Sequence, residues 1–244
     1  MVHIGGYMNK NSILKVVGVF ALVMMLSLAM ISKYKGSKNL IKTDALKFKE
    51  SYESLNGKTN ESGKKHISLD IPSDNPVKMV TTKDIIKKLN SKETFAVFFG
   101  ANWCPWCRAE LLPLLKACKD SNINTLYYVE SSDIRNVVEY KDNNFKEIKQ
   151  GDAGYMELLK RWENSLPDYQ IENAKESYGK RIYLPTLVSV VKGQVSQVET
   201  GEVEELTDPR GKMSKEIFDK IYNKFKCSLK CVSDNSTTCK KNAC

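Results

Sequence analysis

The 244-residue sequence predicts an α/β fold with a central mixed sheet. Three observations carry this reading. Phe95-Ala96-Val97-Phe98-Phe99 is a short apolar run of the kind that forms a buried strand. A few residues on, Cys107, Leu111, Leu114, Leu115 and Cys118 recur at helical spacing and so share one helix face. Further still, the β-branched run Leu184 to Val191 leads through Lys192-Gly193-Gln194 into Val195 to Thr200, the pattern of a hairpin.

Composition divides the chain into five stretches. Residues 1–12 are a short tail. Val16 to Ile31 is uncharged, and with its neighbours (13–32) it approaches the about 20 residues a membrane span needs. Ser27-Leu28-Ala29 has the small-x-small form of a signal-peptide cleavage site. The lysines at 33, 35 and 38 that follow favour an uncleaved anchor. Residues 33–65 read as a polar, Lys-rich linker, in which Asp44 to Leu55 has helical composition. The α/β domain is expected over 66–226, and 227–244 is a cysteine-rich tail. Net charge is +7 over 1–65, −1 over 66–225 and +3 over 226–244. A neutral domain with basic ends argues against a nucleic-acid-binding domain and suits an anionic membrane surface. The positive-inside count favours a cytoplasmic domain. Seven cysteines favour an oxidising space, and an extracytoplasmic domain is the expectation adopted.

Within the domain, His66 to Ile71 alternates with period two, as a half-buried strand does. Pro72 and Ser73-Asp74-Asn75-Pro76 form a turn. Thr81 or Thr82 caps a helix over Lys83 to Leu89. After the central strand Phe95 to Phe99, the next helix starts at Cys104 and turns Cys107 inward. Pro105 suits its first turn, and Pro113 should kink it. Ile123 to Val129 is a further strand. Glu130 to Tyr183 is charged and helix-like, with Tyr155, Leu158, Leu159 and Trp162 as its buried face. Met213 to Phe225 is a last amphipathic helix with Ile217, Ile221, Tyr222 and Phe225 inward. A Cys-x-x-Cys pair between a strand and a helix reads as a dithiol redox site, because a helix N-terminus acidifies the first cysteine.

Two motifs in this order carry a family resemblance. F-F-G-A-N-W-C-P-W-C, ending at Cys107, resembles the active site of the thioredoxin superfamily, and Y-L-P-T-L-V-S-V-V-K-G-Q-V, starting at Tyr183, resembles its cis-proline strand and hairpin. The likeness covers roughly His66 to Phe225 and is closest to membrane-tethered bacterial thioredoxin-like proteins, including bacteriocin transport accessory proteins. It implies a thioredoxin-like three-layer sandwich and a membrane-anchored thiol-disulfide oxidoreductase. Such an enzyme acts on protein thiols and disulfides, works with a redox partner and needs no cofactor beyond its own thiols. Cys104 would be the nucleophile and Cys107 the resolving cysteine. Trp103, Pro105 and Trp106 would present a docking face. A cis Pro185, with Leu184 and Thr186, would meet the substrate backbone. The chain departs from the family in three places. No acid stands in Phe95 to Phe99, Pro113 lies one residue further from the second cysteine, and the stretch of about 131–183 before the cis-proline strand implies a helical insertion.

Cys227, Cys231, Cys239 and Cys244 form C-x3-C-x7-C-x4-C. Two disulfides are the first reading, a four-thiolate zinc site the second, and exchange with the active site the third. For the whole chain the rival to an enzyme is an accessory module that holds an exported peptide with little turnover.

Overall fold

In the computed structural model, which describes residues 24, 25 and 42–236, strand β2 (Phe95–Gly100) occupies the middle of a five-stranded sheet. Strands β1 (Val77–Met79), β3 (Leu126–Glu130), β6 (Thr186–Val191) and β7 (Gln194–Glu199) complete it, in the order β1-β3-β2-β6-β7. The β1/β3 and β2/β3 pairs are parallel, and the β2/β6 and β6/β7 pairs antiparallel. The expected mixed α/β sheet is therefore present.

Successive side chains of a strand point to opposite faces, so β2 serves two cores. On one face, Ala96 and Phe98 join Leu126, Tyr128 and Leu187. Against them pack helix α1 (Asp44–Glu53) through Phe48 and Tyr52, helix α3 (Pro105–Asp120) through Leu111 and Leu114, and helix α5 (Lys215–Ser233) through Ile221 and Phe225. On the other face, Phe95, Val97 and Phe99 meet Val188 and Val190. There helix α2 (Thr82–Asn90) adds Ile85 and Leu89, and helix α4 (Ala153–Arg161) adds Tyr155, Leu158 and Leu159, with Trp162 just beyond it. Burial on both sides explains why β2 is an unbroken apolar run and not an alternating one.

Local chemistry sets the ends. Thr81 accepts from Asp84 N at 3.3 Å while Asp84 Oδ2 accepts from Thr81 N at 3.0 Å, a capping box that starts α2. Lys192 and Gly193, at φ 51° and 77°, make the two-residue turn between β6 and β7. A Cβ at Gly193 would lie 2.7 Å from the Leu89 carbonyl oxygen, so only glycine fits.

Four expectations need correction. First, His66 to Ile71 is extended but is not a strand. Its backbone is held by side chains near α1: Leu69 N donates to Asn56 Oδ1 (2.9 Å) and Ile71 N to Glu53 Oε1 (2.7 Å). The alternating pattern reflected one-sided burial, which does not require a sheet partner. Second, the compact unit starts at Thr43, not at residue 66, because Phe48 and Tyr52 of the supposed 33–65 linker are fully buried. Third, the 131–183 insertion is not wholly helical. It holds a two-stranded sheet, β4 (Val137–Lys141) and β5 (Asn144–Lys149), ahead of α4. Asp142 and Asn143, at φ 53° and 60°, form its tight turn, and Tyr140 packs on Phe145 at 5.0 Å. Fourth, the last helix runs to Ser233 and takes in Cys227 and Cys231, so the cysteine-rich tail is helical at its start.

The cysteines follow from that last point. Cys231 is a buried free thiol and Cys227 is disulfide-bonded. Cys231 therefore takes no part here in the two bridges expected of Cys227, Cys231, Cys239 and Cys244. Among the described residues, no group of three or more His, Cys, Asp or Glu side chains could hold a metal ion. Residues 1–12, Cys239 and Cys244 lie outside the described residues, as does the apolar run Val16 to Ile31 apart from Met24 and Met25. Among the described residues no helix is long and apolar enough to cross a membrane.

The part played by α1 predicts the behaviour of Phe48→Ala. Emptying a fully buried phenylalanine site should cost about 3–5 kcal/mol of stability, read from urea unfolding midpoints. A midpoint unchanged by the substitution would return residues 33–65 to the status of a linker.

Candidate active site

Helix α3 follows β2 after four residues, so its first turn stands beyond the C-terminal end of the central strand, next to the turn Ala101-Asn102-Trp103. Cys104 is the N-cap residue, with extended backbone (φ −67°, ψ 120°), and Pro105 takes the first helical position, where a missing N–H costs nothing. The Cys104 Sγ accepts from the Cys107 backbone N–H at 3.3 Å. Hydrogen bonding from the Cys107 side chain, then the backbone N–H groups of Cys107 and Trp106 and the charge of Arg135, lower the Cys104 thiol below its ordinary 9.0 against the opposing effect of burial. Cys107 is fully buried, and burial, with the neighbouring Cys104 and then Glu110, pushes its thiol well up. Both thiols are buried, Cys104 at 5% exposure and Cys107 at none, yet the first is acidified and the second is held protonated.

The chain ahead of β6 faces them. The Leu184–Pro185 peptide bond is cis, and the Leu184 carbonyl lies 3.7 Å from Cys104 Sγ, within reach of its S–H. Pro185 and Thr186 are buried, and Thr186 Oγ1 donates to the Tyr183 carbonyl at 2.7 Å. Cys104 and Leu184, 80 residues apart in the chain, are thereby brought together, and with them their chain neighbours Pro105 and Pro185. Trp103 is 45% exposed at its rim, with Nε1 donating to Ser132 Oγ at 2.7 Å, whereas Trp106 is half-buried against the α1/α3/α5 core. Cys227 is not part of this arrangement. Cys227 lines a cavity with Asp120, Ser121 and Asn122, at the end of α3 opposite Cys104, about 20 Å away by helix rise. Cys118, buried and pushed up to about 12, is an inert thiol.

Three residues that sequence reasoning passed over belong here. Arg108, next to Cys107, is fully buried. Its guanidinium donates to the carbonyls of Tyr52 (2.7 Å), Asn102 (3.0 Å) and Ile67 (2.6 Å) and to Asn56 Oδ1 (2.8 Å). Glu110, three residues after Cys107, is 1% exposed, and its Oε2 has no hydrogen-bond partner. Burial first, and then the charges of Cys104, Glu199 and Glu202, push its carboxyl well above the usual carboxylate range. The signal was available: an acid inside a leucine-rich stretch of helix, at i+3 from the second cysteine of the pair, shares its face. The third, Arg135, lies just beyond β3 in the insertion.

No protein-family model matches the chain, and no curated protein is significantly similar to it.

The acid–base pattern makes two predictions. Iodoacetamide should alkylate Cys104 ahead of Cys107, Cys118 and Cys231, with a pH midpoint below 9.0; a midpoint at or above 9.0 would deny the acidified thiol. For Glu110, a raised carboxyl contributes stability that is complete below its ordinary 4.5 and is lost as pH rises through the raised value. Glu110→Gln should therefore be no more stable than the parent near about pH 4, yet more stable by about 1 kcal/mol or more near about pH 8. Urea unfolding at the two pH values measures both.

Proposed function

We propose that the protein is a thiol-disulfide oxidoreductase of thioredoxin-like, three-layer architecture, acting on polypeptide thiols and disulfides together with a redox partner. One observation carries this: an acidified cysteine capping a buried-dithiol helix stands 3.7 Å from the carbonyl ahead of a cis proline. Helices on both faces of a mixed five-stranded sheet support the architecture.

In the reducing direction the Cys104 thiolate attacks one sulfur of a substrate disulfide. That S–S bond breaks, a mixed disulfide forms, and the first substrate sulfur leaves as a thiolate. Cys107 then attacks the Cys104 sulfur, and the second substrate sulfur leaves. Two electrons pass to the substrate, and a Cys104–Cys107 disulfide remains. The oxidising direction is the reverse. Cys107 must lose a proton inside the protein for this to proceed. Glu110, three residues on along the same helix, buried and with an unpartnered Oε2, is the group proposed to exchange it. It stands in for the acid absent from β2. Consumption of the Cys104 thiolate in the mixed disulfide also removes one of the charges that hold the Cys107 proton in place.

We further propose that Val16 to Ile31 anchors the chain and that the domain faces an oxidising space. The uncharged run and the disulfide-bonded Cys227 support this.

Turnover separates an enzyme from an accessory module. Cys104→Ser should bring reduction of a disulfide-bonded protein down to the uncatalysed rate. Cys107→Ser should instead trap a mixed disulfide with the substrate at Cys104, visible by mass spectrometry and lost on reduction. Full activity in the Cys104→Ser protein would overturn the proposal.

A further inference from the structure

The segment after β3 leaves the sheet beside the dithiol and is pinned on both sides of Arg135. Ser131 N donates to the Gly100 carbonyl (2.9 Å), and Ser132 Oγ receives the Trp103 indole. The Ile134 carbonyl accepts from Asp152 N (2.8 Å), and Asn136 accepts Arg181 Nη1 on its backbone oxygen (2.7 Å) and on Oδ1 (2.6 Å). The clamp runs from Trp103 on one side of Cys104 to Arg181, three residues before Leu184, on the other.

The segment around Arg135 is thus fixed by its neighbours' hydrogen bonds, and its side chain is half-buried. It makes no hydrogen bond or ion pair with any described residue, and its Nε is buried without a partner. Beside it, the fully buried Tyr155 donates its hydroxyl proton to no described residue. Arg181 is 6% exposed, stacks on Tyr169 at 4.2 Å and has an amide as its partner, not a carboxylate. The two guanidiniums act on each other, and that of Arg135 acts on both active-site thiols. Asp133, two residues before Arg135, is exposed and forms no ion pair with it, and two further acids are engaged elsewhere. Glu130 accepts from Tyr128 and Ser132, and Asp152 from Thr82 and the N-terminus of α4. The segment that joins the dithiol loop through Trp103 and Ser132 thus carries a buried donor without an acceptor, and buried donors are seldom left unpaired. The planar fork of arginine matches a carboxylate.

We propose that Arg135 is a substrate-recognition residue that holds a carboxylate next to the substrate's reactive cysteine. The proposal rests on the dithiol reading and adds the substrate class: a polypeptide with an acidic side chain or a chain end beside its disulfide.

Four disulfide-linked peptide dimers test this, reduced by the full-length dithiol protein with release of two peptide thiols per turnover. Three are amidated and differ only in a Glu, Gln or Lys beside the cysteine. The fourth ends in a free carboxylate directly after it. The parent protein should reduce the Glu or the chain-end peptide about tenfold faster than the Gln peptide, with the Lys peptide slowest. Whichever of the first two is faster tells whether a side chain or a terminus is held. Arg135→Gln should collapse the ranking to within about twofold, and Arg135→Lys should restore part of it. A parent protein with no ranking overturns the proposal. So does an Arg135→Gln protein that is slower on all four peptides by one factor, since Arg135 would then act only through the acidity of Cys104. A parent protein inert to all four overturns the dithiol reading itself.

Discussion

Arg108 is the residue on which the geometry of the site most depends. A guanidinium with no exposure to water must have every donor answered, and an isolated buried charge is among the costliest defects a fold can carry. Here the answer comes from four separate pieces of chain: α1 through Tyr52, the segment after it through Asn56, the extended stretch through Ile67, and the turn before the dithiol through Asn102. Asn102 in turn donates to the Ser51 carbonyl and hydroxyl. One side chain therefore fixes where α3 starts relative to α1 and holds the loop that leads into Cys104. It also explains why the domain cannot begin at residue 66: two of the acceptors lie before it.

On this frame the two cysteines receive opposite environments from one helix. The N-terminal position gives Cys104 free backbone N–H groups, and three residues on the same helix carries Cys107 into the core. Most of the difference in acidity follows from that single step of just under one turn, and the surrounding charges adjust it. Arg135 acts on both thiols, whereas Glu110 adds to what raises Cys107 and is itself raised by the charge of Cys104, so the polar residues couple the two sulfurs.

Much of this was legible in the sequence where signals are local. The β2 run, the helical spacing from Cys107 to Cys118, Pro105 after Cys104 and the Lys192-Gly193 turn are each read from a few adjacent residues. Misreadings arose where burial depends on distant partners. Helix α1 carries only Phe48 and Tyr52 inward from a lysine-rich surface, too thin an apolar face to stand out. His66 to Ile71 alternates because one side is buried, yet its hydrogen bonds go to Asn56 and Glu53. The Asp142-Asn143 turn was a readable hairpin signal masked by the charge around it. Arg108, Glu110 and Arg135 resemble ordinary surface charges until the fold encloses them.

Gly201 adds a last consequence. At φ +74° it passes so close to Glu110 that a Cβ there would lie 2.4 Å from Oε2 and 2.5 Å from the Phe225 ring. The glycine acts as a lid without a side chain and keeps bulk water from the carboxyl. On the proposed chemistry, the protein then carries its own proton reservoir, filled and drained through the dithiol. Each disulfide exchange becomes an internally buffered event, in which electrons cross to the partner while one proton stays at home.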